Sequence, residues 1–133
     1  MSKRSKASKF AAKRRLKEHF KGKSSCTFVP TETVAWYWWR IINKAAFNDK
    51  LPYPGKIIIR RLRGFDGFCV GKTNKNICEI TLASNIHDKK LFIATIAHEM
   101  VHQWQFYFGS DLHHGMDFRE WKLFFSSKFG IVL

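Results

Sequence analysis

The string His98-Glu99-Met100-Val101-His102 constrains this chain more than any other feature, because it has the form HExxH. On a helix, residues four positions apart lie on the same face, so the two histidines can bind one metal ion together. Glu99 projects beside that pair, where its carboxylate can take a proton from an attacking water molecule. The motif predicts a helix that carries two metal ligands and a general base.

The helix that carries this motif is predicted to begin after Asp88, a suitable N-cap, and to end at Gly109. On a helical wheel the two histidines share a face with Leu91 and Thr95. Five apolar residues occupy the other side: Ile93, Ala97, Met100, Val101 and Trp104. We expect that side to pack in the core while the histidines face a cleft.

A catalytic zinc ion needs a third protein ligand and keeps its fourth position open. Two adjacent histidines, His113 and His114, follow the motif helix and precede the last predicted helix, and their spacing does not choose between them. His19 and His87 are poorer candidates, since they lie in a basic segment and in a surface-like turn. Two acidic residues remain alternatives: Asp117 and Glu120.

The rest of the pattern predicts an α+β domain. Residues 32–48 have the periodicity of a helix, with an apolar stripe that Trp36 and Trp39 widen. The stripe consists of Val34, Trp38, Ile41 and Ala45. The last helix carries Phe118, Trp121, Phe125 and Phe129 on its apolar side. Between the first and the motif helix, segments 56–60, 67–70 and 77–82 predict a small three-stranded antiparallel sheet.

The cysteines indicate a reducing environment. The chain has three, Cys26, Cys69 and Cys78, and no CxxC pair, which disfavours a disulfide framework and a cysteine zinc ribbon. A hairpin turn centred on Thr73-Asn74 would place Cys69 opposite Cys78 as two small buried thiols. Because no signal peptide or membrane span is visible, we expect a cytoplasmic protein, associated with the nucleoid or located in the nucleus according to its host.

The positive charge is concentrated at the N-terminus. Residues 1–25 carry ten Lys or Arg against one acid, Glu18, which gives +9 of the total +14. We expect a flexible basic tail over residues 1–27 that contacts nucleic acid, and a folded domain over 28–133. A solvated tail that aids solubility is the alternative. Because Ala12, Leu16 and Phe20 recur every four residues, part of the tail could form a helix on a partner. The basic residues are Lys3, Arg4, Lys6, Lys9, Lys13, Arg14, Arg15, Lys17, Lys21 and Lys23.

Four strings make the chain resemble a known family: Phe47-Asn48-Asp49-Lys50-Leu51-Pro52, Ile80-Thr81-Leu82-Ala83-Ser84, His98-Glu99-Met100-Val101-His102-Gln103-Trp104 and His114-Gly115-Met116-Asp117-Phe118. They resemble the SprT-like metalloprotease domain of bacterial SprT and of the DNA–protein crosslink protease Spartan, over about residues 31–130. HExxH is generic, whereas the later His-Gly-x-x-Phe is specific. The resemblance implies a zincin-like fold and His114 as the third zinc ligand.

The chain departs from the family in two respects. Many members carry a cysteine zinc ribbon or another DNA-binding module after the protease domain, whereas this sequence stops at Leu133 without one. We expect the basic N-terminal segment to take over that role. His113 precedes the implied third ligand, where it would either contact a zinc ligand or the substrate, or be an exposed loop residue.

The expected activity is peptide hydrolysis with one Zn²⁺ ion and Glu99 as the base, on protein substrates associated with DNA; RNA remains an alternative partner. Three residues are candidates for a second electrophile: Tyr107, His113 and Arg119. Residues 77–83 are expected to be an edge strand that holds an extended peptide. Two rival functions are a nucleic-acid-binding, transcription-associated factor with a non-catalytic zinc site and a zinc hydrolase that acts on another substrate. Glu99 disfavours the first, because a structural zinc needs no base.

Overall fold

The computed structural model describes residues 3–21, 28–109 and 114–133. These residues form four helices and three strands, which confirms the α+β class. Among them, no helix combines the length and the hydropathy that crossing a membrane would need. In chain order the elements are α1 (Lys3–Lys21), α2 (Glu32–Ala46), β1 (Ile57–Arg60), β2 (Gly67–Lys72), β3 (Ile77–Ala83), α3 (Lys89–Phe108) and α4 (Met116–Phe129).

The sheet is mixed, so the prediction of a purely antiparallel sheet was wrong. Its strand order is β1-β3-β2, with β1 parallel to β3 and β2 antiparallel to β3. Strand β3 follows β2 through a hairpin and lies between β1 and β2. It is therefore antiparallel to β2, and it runs in the same direction as β1. As a result β3 is the central strand. The prediction that residues 77–83 form an edge strand was also wrong, since the edge beyond the hairpin is β2.

The hairpin turn lies one residue later in the chain than the predicted turn, which would have placed the two cysteines opposite each other. Lys72 pairs with Ile77, so the turn is centred on residues 74 and 75, and Cys69 lies opposite Ile80. Cys78 is diagonal to Cys69 on the same face, and their Sγ atoms are 2.7 Å apart. Both are free thiols. The hydrogen bond to Cys78, followed by burial, raises the pKa of Cys69.

Helix α2 packs on both α1 and α3, which makes its buried face broader than the predicted stripe. Trp38 and Ala45 are buried as expected, but the fully buried isoleucine is Ile42 rather than Ile41. The indole Nε1 of Trp39 donates a 3.0 Å hydrogen bond to the side-chain oxygen of Gln103. This buried contact attaches α2 to the helix that carries the HExxH motif.

Most of the basic N-terminal segment is helix α1, which packs against α2 and α4. This differs from the expectation of a flexible tail. The physical reason is the apolar spacing along α1, which buries Ala12 and Leu16 in the core of this domain. The guanidinium of Arg15 also donates a 2.6 Å hydrogen bond to the hydroxyl of Tyr37 on α2. The helix that the sequence predicted on a partner therefore forms on the chain's own surface.

Helix α3 has the predicted bounds. The Asp88 side chain accepts a hydrogen bond from the backbone N–H of Lys90, and Gly109 is the C-terminal cap. The predicted apolar side is fully buried at Ile93, Ala97, Met100 and Val101. The opposite side contributes Leu91, Thr95, His98 and Glu99 to a cavity. The helix thereby presents the motif to a cleft while its other side packs in the core.

Candidate metal centre

Three histidine side chains converge at the cleft: His98 and His102 from α3, and His114 just before α4. The Nε2 atom of His114 lies 3.1 Å from Nε2 of His102 and 3.2 Å from Nε2 of His98. These three side chains form a group whose ligand atoms all lie within 4.8 Å of one another. The helical spacing brings the first two together, and the packing of α4 against α3 brings the third.

The distances between these nitrogen atoms suit a tetrahedral metal site. Imidazole nitrogens bound to zinc at about 2.0–2.1 Å in a tetrahedral arrangement lie about 3.3–3.4 Å from one another. The separations of 3.1 and 3.2 Å are close to that value. When all three nitrogens present their lone pairs, a cation between them removes their mutual repulsion. The cluster could therefore hold one metal ion.

The protonation state of His98 also suits metal binding. Burial, followed by the proximity of His102, His114 and Lys122, lowers the pKa of His98 to about 4. Its imidazole is therefore neutral at neutral pH. A metal ion binds the neutral imidazole, since the lone pair of the protonated ring is occupied.

A hydrogen-bonded chain behind His102 fixes the orientation of its ring. Nδ1 of His102 lies 2.7 Å from Oε1 of Gln105, and Nε2 of Gln105 donates to Oδ1 of Asp117 at 2.9 Å. Because the Asp117 carboxylate accepts, the Gln105 amide must present its oxygen to His102, whose Nδ1 therefore carries the proton. The lone pair of His102 is thus on Nε2, toward the other two histidines.

The predicted His-Gly-x-x-Phe string has a structural role at this centre. The ring of Phe118 lies 5.2 Å from that of His102, at an interplanar angle of 27°. It is also 4.8 Å from the His98 ring and 4.5 Å from the His114 ring. Phe118 is buried, so it forms an apolar support that contacts all three imidazoles.

Glu99 lies in the same cleft and is 3% exposed. Burial raises the pKa of its carboxyl to about 8, because an apolar environment disfavours the charged form. A cation bound by the neighbouring histidines would oppose this effect and favour the carboxylate. The carboxyl group is therefore placed in the cleft beside the histidines, with little access to bulk water.

The cleft itself is a cavity of about 410 Å³ between α3, the start of β2 and the segment that follows α4. His98, Glu99 and His114 line it together with several apolar side chains. Sequence reasoning identified Leu91 and Thr95 on this face of α3 but missed the contributions from elsewhere. Those contributions are Phe65, Asp66, Gly67, Val132 and Leu133.

The candidates for a second electrophile are not brought to the histidine cluster within the described residues. The hydroxyl of Tyr107 donates a 3.2 Å hydrogen bond to the backbone oxygen of Asn76 at the hairpin. Arg119 is exposed on α4 and does not line the cleft. His113 lies outside the described residues.

The alternative ligands do not belong to the three-histidine group. The side chain of Asp117 is engaged with Gln105 and with the backbone N–H of Phe118, and Glu120 is exposed. His19 packs against Trp38, and His87 is an exposed residue ahead of α3.

Sequence reasoning also missed Gln105 and Asp117 as the support of His102. One feature of the sequence pointed to this support: Gln105 is three residues after His102 and therefore lies on the same face of α3.

The predicted nucleic-acid-contacting residues lie on or next to α1. Lys3, Arg4 and Lys6 belong to its first turns, and Lys23 lies outside the described residues. Four of the others are exposed: Arg14, Arg15, Lys17 and Lys21. Lys9 and Lys13 are half-buried, and the Lys9 ammonium donates to the side-chain oxygen of Asn48.

Comparison with known proteins identifies one family for this chain. The model of the SprT-like family matches residues 14–130, which is most of the sequence and includes the second half of α1. No curated protein and no solved structure matches the chain.

Proposed function

Because the chain belongs to the SprT-like family, we propose that it is a zinc-dependent metalloprotease that cleaves DNA-associated proteins. One observation carries the proposal: the Nε2 atoms of three histidines converge beside a cleft that His98, His114 and Glu99 line. A site with three ligands and a neighbouring acid–base group is typical of catalytic zinc, whereas structural zinc has four closed ligands. The high positive charge of α1 supports the association with DNA.

The donor set favours zinc over harder cations. His98, His102 and His114 offer three imidazole nitrogens, whereas magnesium and calcium prefer oxygen ligands. When bound, zinc supplies Lewis-acid polarisation of a carbonyl group and makes a water molecule more acidic.

We assign the proton transfers of the reaction to Glu99. As water attacks the scissile carbonyl, the carboxylate accepts its proton and then delivers that proton to the departing amine. The position of Glu99 supports this role, since its side chain lines the cleft beside His98 and His114. Its burial keeps the carboxyl group away from bulk water, so that the proton can pass to the leaving group.

We assign the binding of the substrate backbone to the edge strand β2. Its first residue, Gly67, lines the cleft, and its outer edge is not paired with another described strand. An extended peptide can add to such an edge through main-chain hydrogen bonds. Phe65 and Leu91 line the same cleft and offer apolar surface to the side chains of the substrate.

The replacement Glu99→Gln tests the catalytic assignment. The variant should keep its zinc and lose cleavage of a DNA-bound protein substrate, because the amide cannot accept the proton. The matched control is Glu120→Gln, at an exposed position of α4, which should retain both zinc and activity. Full activity in Glu99→Gln would contradict the mechanism. A wild-type protein that binds zinc but cleaves no substrate, with or without DNA, would instead support a non-catalytic metal site.

A further inference from the structure

A second cavity, larger than the cleft at the metal centre, lies between α1 and α2. This α1–α2 groove has a volume of about 660 Å³ and is formed by α1, α2 and the first residue of α3. Its lining combines aromatic rings with charged side chains, and it is more open than a buried core cavity. The lining residues are Arg15, Glu18, His19, Phe28, Thr33, Val34, Tyr37, Trp38 and Lys89.

Aromatic rings from α1, from α2 and from the segment before α2 line the groove. Tyr37 is 40% exposed, and its ring packs edge-on against Trp38 at 5.3 Å. The ring of His19 lies 4.9 Å from that of Trp38. Burial, together with the nearby Lys89 and Lys90, lowers the pKa of His19, so its ring is neutral at neutral pH. The groove therefore offers neutral planar rings that are already held in place by their neighbours.

Two cations contact these rings. The Arg15 guanidinium lies 6.0 Å from the centre of the Tyr37 ring, and the Lys89 ammonium lies 5.7 Å from that of Trp38. Within the described ranges the ion pair found is Lys72–Glu79, so these two cations have no acidic partner there. One acid, Glu18, lines the groove.

The positive charge continues along α1 beyond the groove. Burial and the proximity of Lys9, Lys128 and Lys17 lower the pKa of Lys13, which shows how closely these ammonium groups are placed. Like charges held together without acidic partners cost stability and suit a polyanion. An apolar peptide would leave them uncompensated.

We propose that the α1–α2 groove binds single-stranded nucleic acid. Unpaired bases stack on the exposed ring of Tyr37 and on the half-buried rings of His19 and Phe28, while phosphates contact Arg15, Lys89 and the outer cations of α1. Such a combination of stacking rings and a cationic track is how proteins bind single strands without reading a sequence. A duplex cannot use the rings, because its bases are already stacked on one another.

The groove adjoins the metal cleft through the first turn of α3. Lys89 lines the groove, and Leu91 lines the cleft. His98 is nine residues after Lys89, which is about 14 Å along a helix that rises about 1.5 Å per residue. A strand bound in the groove would hold a protein attached to it within reach of the cleft. This consequence rests on the proposed function, whereas the binding itself does not.

Fluorescence anisotropy with a labelled oligodeoxythymidine and a duplex of the same length tests the assignment. All proteins should carry Glu99→Gln, so that the result is independent of proteolysis. We expect the single strand to bind more tightly than the duplex. The double variant Arg15→Gln/Lys89→Gln should bind the single strand more weakly. The slope of log affinity against log salt concentration should decrease in magnitude by about 1.4, which is the value for two phosphate contacts. The charge-matched control, Lys56→Gln/Lys75→Gln at exposed positions of the sheet region, should keep the wild-type affinity and slope.

Three further substitutions separate the contribution of base stacking from that of charge. Tyr37→Ala should weaken binding of the single strand by about fivefold or more, as expected for the loss of one base–aromatic stack, whereas Tyr37→Phe should retain binding. Glu18→Gln should strengthen binding, because it removes the acid that lines the groove. Circular dichroism of each variant verifies that the helices remain folded.

Three results would overturn the proposal: tighter binding to the duplex, wild-type affinity in Arg15→Gln/Lys89→Gln, or equal affinities for Tyr37→Ala and Tyr37→Phe. If the proteins bind the single strand as expected but zinc-loaded wild type cleaves no substrate, the nucleic-acid site in the groove is supported and the proposed protease activity is contradicted. If the wild type cleaves proteins but the groove variants bind the single strand with wild-type affinity, the proposed protease activity is supported and the nucleic-acid site in the groove is contradicted.

Discussion

Gln105 lies behind His102 and accepts a hydrogen bond from Nδ1 of that ring at 2.7 Å. The other end of the Gln105 amide is held by the Asp117 carboxylate on α4. The contact therefore connects the first helix of the site, α3, with the helix that follows His114. A single glutamine both selects the tautomer of one histidine and ties the two parts of the candidate metal centre together.

Replacing Gln105 should weaken metal binding without removing a ligand. Gln105→Leu leaves Nδ1 of His102 without its acceptor, so the ring orientation and the tautomer are no longer fixed. We expect the zinc affinity to fall by about 10- to 100-fold, which is the usual effect of losing such a support. Competition with a chromophoric chelator measures it. Glu120→Gln on the exposed side of α4 is the control, and equal affinities of Gln105→Leu and wild type would show that the contact does not position His102.

The buried hydrogen bond between Trp39 and Gln103 should stabilise the fold. Trp39→Phe removes the indole N–H and leaves the side-chain oxygen of Gln103 buried without that donor. We expect the free energy of unfolding to fall by about 1–3 kcal/mol for the unsatisfied acceptor, with a further loss from reduced packing. Urea denaturation measures this change.

A matched substitution on the same helix separates the hydrogen bond from the change in ring size. Trp36 is half-buried, and its indole makes no hydrogen bond to the described part of the chain. Trp36→Phe should therefore cost less than Trp39→Phe. If the two substitutions have equal effects, the Trp39–Gln103 hydrogen bond contributes nothing measurable.

Helix α1 should be an integral part of the domain. Leu16 is fully buried, so Leu16→Ala should lower the free energy of unfolding by about 2–5 kcal/mol, as for other large-to-small core substitutions. Phe10 lies on the same helix but is 67% exposed, so Phe10→Ala should change it by less than about 0.5 kcal/mol. Thermal and urea unfolding would reveal the difference. Similar small effects at both positions would mean that α1 is not packed on the domain in solution.

Features that depend on local sequence were predictable. The bounds of α3 follow from Asp88 and Gly109, because a helix cap is determined by residues next to it in the chain. HExxH spacing also placed His98 and His102 on one face, since that geometry is internal to a helix. The choice of His114 needed the family resemblance, because the approach of a loop to a helix depends on the tertiary fold.

Features that depend on long-range pairing were not predictable. The parallel pairing of Ile57 with Ile80 joins residues from separate segments, and periodicity carries no information on strand order. The docking of Leu16 was similarly hidden, because the strong positive charge of the segment outweighed its weak apolar spacing. The Gln105–Asp117 contact crosses between two helices and required their relative position.

The measurement that tests the central claim most directly is the metal content of the purified wild-type protein and of His114→Ala, by inductively coupled plasma mass spectrometry. The three-histidine centre predicts one zinc ion per wild-type chain and strongly reduced zinc in the variant, with circular dichroism showing that the variant retains its helices. A folded wild-type protein that binds no zinc after reconstitution, or a His114→Ala variant that retains zinc with wild-type affinity, would contradict it.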